Sequence, residues 1–457
     1  MIFLPTCIRP LIPFYSTARE ENKLLKTKVE ELKTKVKELT LDNATLKAEV
    51  EMYRKEAALP SFSKIALGQS GDETMTPSTN SAGDDFISSG NNIFPTDPVV
   101  SLPNINGGSN PLCCALNSSD NILASGGADG NVVLATWGSS LSPSEDASFQ
   151  TVHKATKVRC GAPVICLSFC KTDDIICVGC MDGSIHFIGF TFMGGKIHAS
   201  LLNGNSIDGG GTIKYTKYVK SIAWSDSQPI VASSSADGTV ILSKVSLGDE
   251  DEKMGGDDDD DDDADMPDSI KEITIEKLKS FHLNGAVETL CFIKDGTSLC
   301  LYERDTSYLT YFDLNDEYKM SKYSLNGKTT GGFDDFVSFA VMQLSVSPNG
   351  KYLCAATDSS RNIIIEAGTS NVIRDLYGHK NDSYSQPRVA WSSSGQYVYG
   401  NTQEDCDLYV WDVASSSIVK KLPAHSGQIR DIFSSKSSDT VVTASYDKTN
   451  KVWLNAM

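Results

Sequence analysis

Three stretches decide the fold: LCCALNSSDNILASGGADG (112–130), VICLSFCKTDDIICVGCMDG (164–183) and VKSIAWSDSQPIVASSSADG (219–238). Each is an alternating apolar run, a polar turn, a second apolar run, and a tight turn carrying Asp. Four more copies follow: VETLCFIKDGTSLCLYERDT (287–306), MQLSVSPNGKYLCAATDS (342–359), RVAWSSSGQYVYGNTQEDC (388–406) and IRDIFSSKSSDTVVTASYDK (429–448). The turn aspartates are Asp129, Asp182, Asp237, Asp305, Asp358, Asp405 and Asp447. In the first four copies, the last large residue of the first run (Leu116, Phe169, Trp224, Phe292) lies thirteen positions before that Asp, and the others deviate by one. A third run follows each Asp, as in TVILSKV and DLYVWDV. One supersecondary unit copied seven times cannot bury its own faces, so the copies must pack on one another.

These segments resemble the WD-repeat (β-transducin) β-propeller family over roughly residues 98–454. The best matches are Leu408-Tyr409-Val410-Trp411-Asp412 and the last repeat. There the resemblance implies a hydrogen-bonded network of His425, Ser445, Asp447 and Trp453. The sixth repeat keeps His379, Asp405 and Trp411, with Gln403 in place of the hydroxyl. The fourth keeps Asp305, with Tyr311 for the Trp and His282 two positions early. The implied fold is all-β, a seven-bladed propeller. The C-terminus stops just after the third strand of the seventh copy, so PVVSLP (98–103) is the candidate to supply the missing outer strand and close the ring.

Residues 19–59 show a different period. Leu25, Leu32, Leu39, Leu46 and Tyr53 recur every seven residues, with Val29, Val36, Asn43 and Val50 between them. β-branched residues at a and Leu at d predict a long α-helix in a parallel dimeric coiled coil, and one Asn at a fixes its register. No basic helix precedes the heptads, which argues against a leucine-zipper DNA binder. Residues 1–18 read as an irregular segment whose prolines break any signal-peptide core, although an organelle-targeting role remains an alternative. Residues 60–97 turn to Ser, Gly, Asn, Asp, Thr and Pro and read as a disordered linker before the propeller domain at 98–457.

The net charge of −18 over 457 residues disfavours nucleic-acid binding. Thirteen acids and one Lys fall within 249–268, a net of −12 that leaves −6 for all the rest. Seven consecutive aspartates repel one another, so 248–268 reads as a disordered acidic insertion on the face opposite the turn aspartates. No window approaches a membrane span. The twelve cysteines sit mostly in apolar runs, which fits a reducing, cytoplasmic or nuclear setting. Cys177 and Cys180 form C-x-x-C, but residues three apart in a strand point to opposite faces, so neither metal nor cofactor is expected.

No nucleophile elbow, zinc-protease helix or phosphate loop appears, so no catalytic residue is assigned. The turn aspartates are expected to cap their own turns. What remains is recognition. Long loops lead into blade three (203–217), blade five (325–339) and blade six (379–388). The last two place Phe333, Phe336, Tyr384 and Arg388 on the face that carries the Asp turns, and Arg304 and Tyr446 point to the same face. Aromatic and Arg side chains in exposed loops are the types that dominate binding hot spots.

The expected function is a non-enzymatic scaffold that binds partner proteins on the propeller faces and forms a homodimer through its coiled coil. This layout is similar to that of WD-repeat autophagy adaptors and corepressors. The alternative is a chaperone or escort for a basic client, a histone or ribosomal protein, held by the Asp run. A ubiquitin-ligase substrate receptor ranks lower, because Trp411-Asp412 is followed by Val413-Ala414 and lacks the family's Arg signature.

Overall fold

The computed structural model describes residues 26–28, 33–35, 94–136, 154–171, 175–193, 196–202, 204–206, 213–247, 273–326 and 338–454. The chain divides into two units, Met1–Ser78 and Thr79–Met457. In the first unit, 26–28 and 33–35 are helical and exposed. The coiled-coil core positions Leu25 to Tyr53, the linker from 60 to 93, the acidic insertion 248–268, and Phe333 and Phe336 lie outside the described residues.

The second unit is a propeller of seven antiparallel sheets, numbered here as blades one to seven in chain order. Blade one shows the plan: Pro111–Leu116 is innermost, followed outward by Ile122–Gly127, Asn131–Thr136 and Lys154–Arg159. The second strands are buried along their whole length, as in Ile122–Gly127 and Ile175–Cys180, whereas the outer strand Lys319–Ser324 is largely exposed. This gradient explains the sequence pattern. Inner strands have a neighbouring blade on each face and read as continuous apolar runs. Each hydrophobic cluster accordingly spans two blades. One joins Cys113, Ile122 and Leu134 of blade one to Val164, Ile176 and Ile188 of blade two. Cys180 belongs to this cluster, while Cys177 packs with Phe187 and Val219 toward blade three, so the C-x-x-C pair is split between two faces.

Pro98–Pro103 is the outer strand of blade seven, antiparallel to Thr449–Trp453, with Val100 opposite Val452 and Leu102 opposite Asn450. Val100 and Leu102 are buried. The order also starts earlier than the sequence suggests. Phe94, placed with the linker from composition, is buried and meets Tyr397 edge to face at 5.1 Å.

Two further details were not legible. Blade three has a fifth strand, Gly204–Ser206, parallel to Ile273–Ile275 on its outer edge. The outer strand Ile273–His282 is ten residues long, and its free edge offers backbone groups to the returning chain. The end of the long loop expected before blade three is strapped over blade two, where Ile185 N donates to Ile213 O at 3.0 Å and Tyr215 N donates to Gly183 O at 2.9 Å. The Asp-Gly turns need glycine for a stated reason. Gly183 has φ of 85°, and a Cβ there would lie 2.5 Å from the Tyr215 carbonyl oxygen.

Ring closure yields a direct expectation. Leu102→Ala removes a fully buried side chain at the seam and is expected to cost about 2–5 kcal/mol in urea unfolding. An unchanged midpoint would mean that 98–103 does not hold the ring shut.

Candidate functional site

The inner strands meet at a central channel, and in every blade but the sixth they carry a β-bulge near the start, as at Val219/Ser221, Val287/Thr289, Val341/Gln343 and Ile429/Asp431. The residue after the bulge turns sideways toward the next blade. Ser221 Oγ accepts from Leu290 N at 3.4 Å, Thr289 Oγ1 from Leu344 N at 3.0 Å, and Gln343 Oε1 from Val389 N at 2.7 Å. Asp431 Oδ2 accepts from Cys114 N at 2.9 Å, which joins blade seven to blade one. Cys113 Sγ reaches Val164 O at 3.8 Å, joining blade one to blade two. Arg388 occupies the same position in blade six, three residues before Trp391, and its Nε lies 3.5 Å from Asp431 Oδ1.

This corrects the expectation for Arg388. It is not an exposed loop side chain, since only 16% of it is accessible and it pairs with Asp431 of blade seven. Burial, then the like charge of Arg430, lower its pKa, and burial raises that of Asp431 against the pull of Arg388. Arg304 is also engaged. It donates to Glu288 Oε1 at 3.1 Å, while Lys220 Nζ holds Glu288 Oε2 at 2.6 Å. Only 2% of the Glu288 side chain is exposed, so these two cations compensate a carboxylate that would be costly alone.

The aspartate-bearing turns surround this channel mouth. Asp129, Asp182, Asp237, Asp405 and Asp447 each accept the backbone N–H two residues on, at 2.9–3.3 Å. Asp358 instead accepts Ala340 N at 2.7 Å, and Asp305 takes φ of 65° itself. The Ser184 hydroxyl, bonded to Asp182, holds that carboxyl below its ordinary range.

Blade seven carries a polar relay, but its middle hydroxyl is not the one expected. His425 Nδ1 lies 2.9 Å from Asp447 Oδ2, and its Nε2 lies 2.7 Å from Thr443 Oγ1. Trp453 Nε1 donates to Thr443 Oγ1 at 3.0 Å. A consistent proton assignment has Trp453 donating to Thr443, Thr443 to His425, and His425 to Asp447. Ser445 stands outside this relay: its hydroxyl donates to Gly427 O at 2.8 Å and accepts Asp447 N at 3.1 Å.

In blade six the network is absent. Asp405 takes the Tyr409 hydroxyl at 2.7 Å, and Trp411 Nε1 donates to Tyr377 O at 2.9 Å. Both nitrogens of His379 are buried without a partner among the described residues, the ring lying edge-on to Trp411 at 5.2 Å. The hydroxyl of this blade is Thr402, which donates to Lys380 O at 2.6 Å, one position before Gln403. His282 makes only an exposed contact of 3.3 Å to Thr239.

A signal for the relay was present but unread. Thr443 lies four residues before its turn aspartate, and Ser233 and Ser125 lie at the same offset from Asp237 and Asp129. Ser233 Oγ lies 2.7 Å from the Tyr215 hydroxyl, and Ser125 Oγ lies 3.0 Å from Asn106 Oδ1. Those partners stand beside blades three and one as His425 stands beside blade seven. A search confined to histidine misses them.

Blades six and seven enclose a groove of about 130 Å³ on this face, with Tyr384, Gln386, Gln403, Gln428, Arg430 and Tyr446 among its lining residues. Tyr384 is 85% exposed and Tyr446 44%. The loop beneath Tyr384 is built rather than loose. Asp382 Oδ1 accepts Tyr384 N and the Ser385 hydroxyl, both at 3.0 Å, and Asn381 Nδ2 donates to Thr357 O at 3.3 Å.

Sequence comparison agrees with the seven blades and the relay. The family described as "WD domain, G-beta repeat" (WD40) matches residues 100–134, 153–188, 211–242 and 416–453. The segments end in the third strands of blades one, two, three and seven. The chain is a WD-repeat β-propeller protein. It is 25% identical over 177 residues to the guanine nucleotide-binding protein subunit beta of Saccharomyces cerevisiae, covering 38% of this chain and 37% of that protein. It is 24% identical over 113 residues to a WD repeat domain-containing protein 83 homolog of Dictyostelium discoideum, covering 25% and 34%. The matched region thus spans little more than a third of either relative. WD-repeat propellers serve as protein-interaction platforms. Among the described residues, no helix is long and apolar enough to cross a membrane, and no three His, Cys, Asp or Glu cluster as a metal site.

The histidines of this WD-repeat domain predict its acid response. Burial lowers both His425 and His379 to about 4, with Asp447 pulling His425 the other way. Unfolded histidine titrates near 6.5, so below that pH the unfolded chain takes up protons first. Stability is therefore full above about pH 6.5 and declines toward pH 4, by about 3 kcal/mol per histidine. His379→Phe is expected to remove about half of this decline in urea midpoints measured at pH 4 to 7. Thr443→Val, which strips the relay of its central hydroxyl, is expected to cost about 2 kcal/mol.

Proposed function

We propose that this chain is a non-enzymatic adaptor that gathers partner proteins on the aspartate-turn face of its propeller. The supporting observation is Tyr384, a ring 85% exposed on a loop fixed by Asp382 and Asn381. An aromatic held in water on a preorganised turn gains by being covered, and little entropy is lost when a partner covers it. Tyr446 lines the same groove. Phe333 and Phe336 belong to the preceding loop and are assigned to the same partner surface. Arg388 and Arg304 act differently: both hold buried carboxylates at the channel mouth and keep the platform rigid.

The heptads at 19–59 pair two copies in parallel, and the linker gives each propeller reach. Two docking faces on one dimer raise effective concentration, so modest contacts sum to firm capture. Light scattering of the full chain is expected to give a dimer, and Asn43→Pro a monomer. A monomeric wild type at micromolar concentration would remove the bivalent part of this reading.

A second reading rests on where the acidic insertion leaves the fold. The strands Thr239–Leu247 and Ile273–His282 flank it at the blade-three edge opposite the Asp turns. Seven aspartates there suit capture of a basic client. Deleting 249–268 is expected to weaken such capture and flatten its salt dependence, whereas the adaptor reading leaves partner recovery unchanged. For the adaptor face, affinity purification with Tyr384→Ala plus Tyr446→Ala is expected to lose the co-purifying partner by tenfold or more. The melting temperature should stay within about 2 °C, since neither ring is buried. Undiminished recovery would reject the groove as the docking face.

A further inference from the structure

The groove between blades six and seven has an unusual charge. The whole chain carries −18, yet among the residues that line this groove Arg430 is the one charged side chain. Its Nε and Nη1 are buried and meet no hydrogen-bond partner among the described residues. The neighbouring carboxylate, Asp431, turns Oδ1 to Arg388 and Oδ2 to the Cys114 amide and makes no hydrogen bond to the Arg430 Nε or Nη1. Two guanidinium groups thus stand beside one acid, and the second, in the lining of a polar groove, has two donors without a partner among the described residues. An unpaired buried cation is costly to the fold, by more than most surface changes. Such a deficit suits a group that binding will complete.

We propose that this groove receives one carboxylate side chain, Asp or Glu, from a partner peptide, with Arg430 reading its charge and Tyr384 and Tyr446 flanking its backbone. The proposal rests on the adaptor reading and names the chemistry of the partner. The volume of about 130 Å³ accommodates a side chain rather than a helix. One guanidinium with no second basic group beside it in the lining matches a monoanion, whereas phosphate readers cluster several cations. The fork of a guanidinium accepts a carboxylate in two parallel hydrogen bonds, which gives direction as well as attraction.

The test uses the full chain and four fluorescent nine-residue peptide libraries, degenerate except for a central Glu, Gln, Lys or phosphoserine, read by anisotropy. The Glu library is expected to bind about fivefold or more tighter than the Gln library. Arg430→Gln is expected to erase that difference while leaving Gln-library binding unchanged, and its melting temperature should be no lower than wild type. Tyr384→Ala should weaken the Glu and Gln libraries alike. Equal Glu and Gln binding that is still lost in Tyr384→Ala overturns the carboxylate assignment and leaves the docking face standing. A preference for phosphoserine without one for Glu overturns it in favour of phosphate. A Glu preference that survives in Arg430→Gln places the acid reader elsewhere and also overturns it. Binding of no library overturns the proposal, and the tyrosine variants in affinity purification then decide the reading beneath it.

Discussion

The ring depends on one repeated hand-over at its centre. In most blades a side chain near the start of the inner strand turns sideways, usually after a bulge, and satisfies a backbone N–H, or pairs a charge, on the next blade. Ser221, Thr289, Gln343 and Asp431 do this with oxygen acceptors, and Arg388 does it with an ion pair. Inner strands lie side by side without sharing a sheet, so their inward N–H groups have no ladder to join. Leaving them unmet would cost about 1–3 kcal/mol each. The link from Asp431 to Cys114 spans most of the domain in sequence and makes the circle continuous with the closing strand.

This arrangement determines what is available for binding. Residues that hold the blades together are spent: Arg388 pairs with Asp431, and Arg304 and Lys220 with Glu288, at the channel mouth. Residues one step further out, on pinned loops, are free to meet a partner. Tyr384 and Arg388 are four positions apart in the same loop, yet one is 85% exposed and the other 16%. The difference arises from position: Arg388 directly precedes the inner strand Val389–Trp391 and pairs with Asp431, whereas Tyr384 stands out on the loop. Arg430 is the exception: its Nε and Nη1 are buried without a partner among the described residues, so the platform is chemically uneven rather than a uniform polar rim.

The seven turn aspartates resemble a carboxylate ring when written in a row. In space, five are absorbed by the N–H two residues on and one by the N–H at the start of the neighbouring inner strand. Their regularity is that of a turn, repeated. The histidine relay behaves likewise: one blade has it in full, and others substitute Tyr215 with Ser233 or Asn106 with Ser125. What persists from blade to blade is the buried polar joint between a connecting loop and a second strand, not the residue type that makes it.

How much was legible follows from which signals are local. Strand alternation, Asp-Gly turns and the spacing from Trp224 to Asp237 depend on neighbours in the chain, so the repeat and the blade count could be read directly, whereas the closing strand Pro98–Pro103 was expected from the resemblance to the WD-repeat family. The hydroxyl positions were missed by one residue in blade six and by two in blade seven. Thr402 rather than Gln403, and Thr443 rather than Ser445, could be assigned only once strand register was visible. The composition of the loop before blade six announced exposure for Tyr384 and Arg388 together, because composition carries no direction. The amino-acid sequence alone determined a ring of repeated sheets, since periodicity is encoded residue by residue. Only the tertiary structure decided which side chains that ring consumes and which it leaves facing outward, because that choice depends on contacts between blades far apart in the chain.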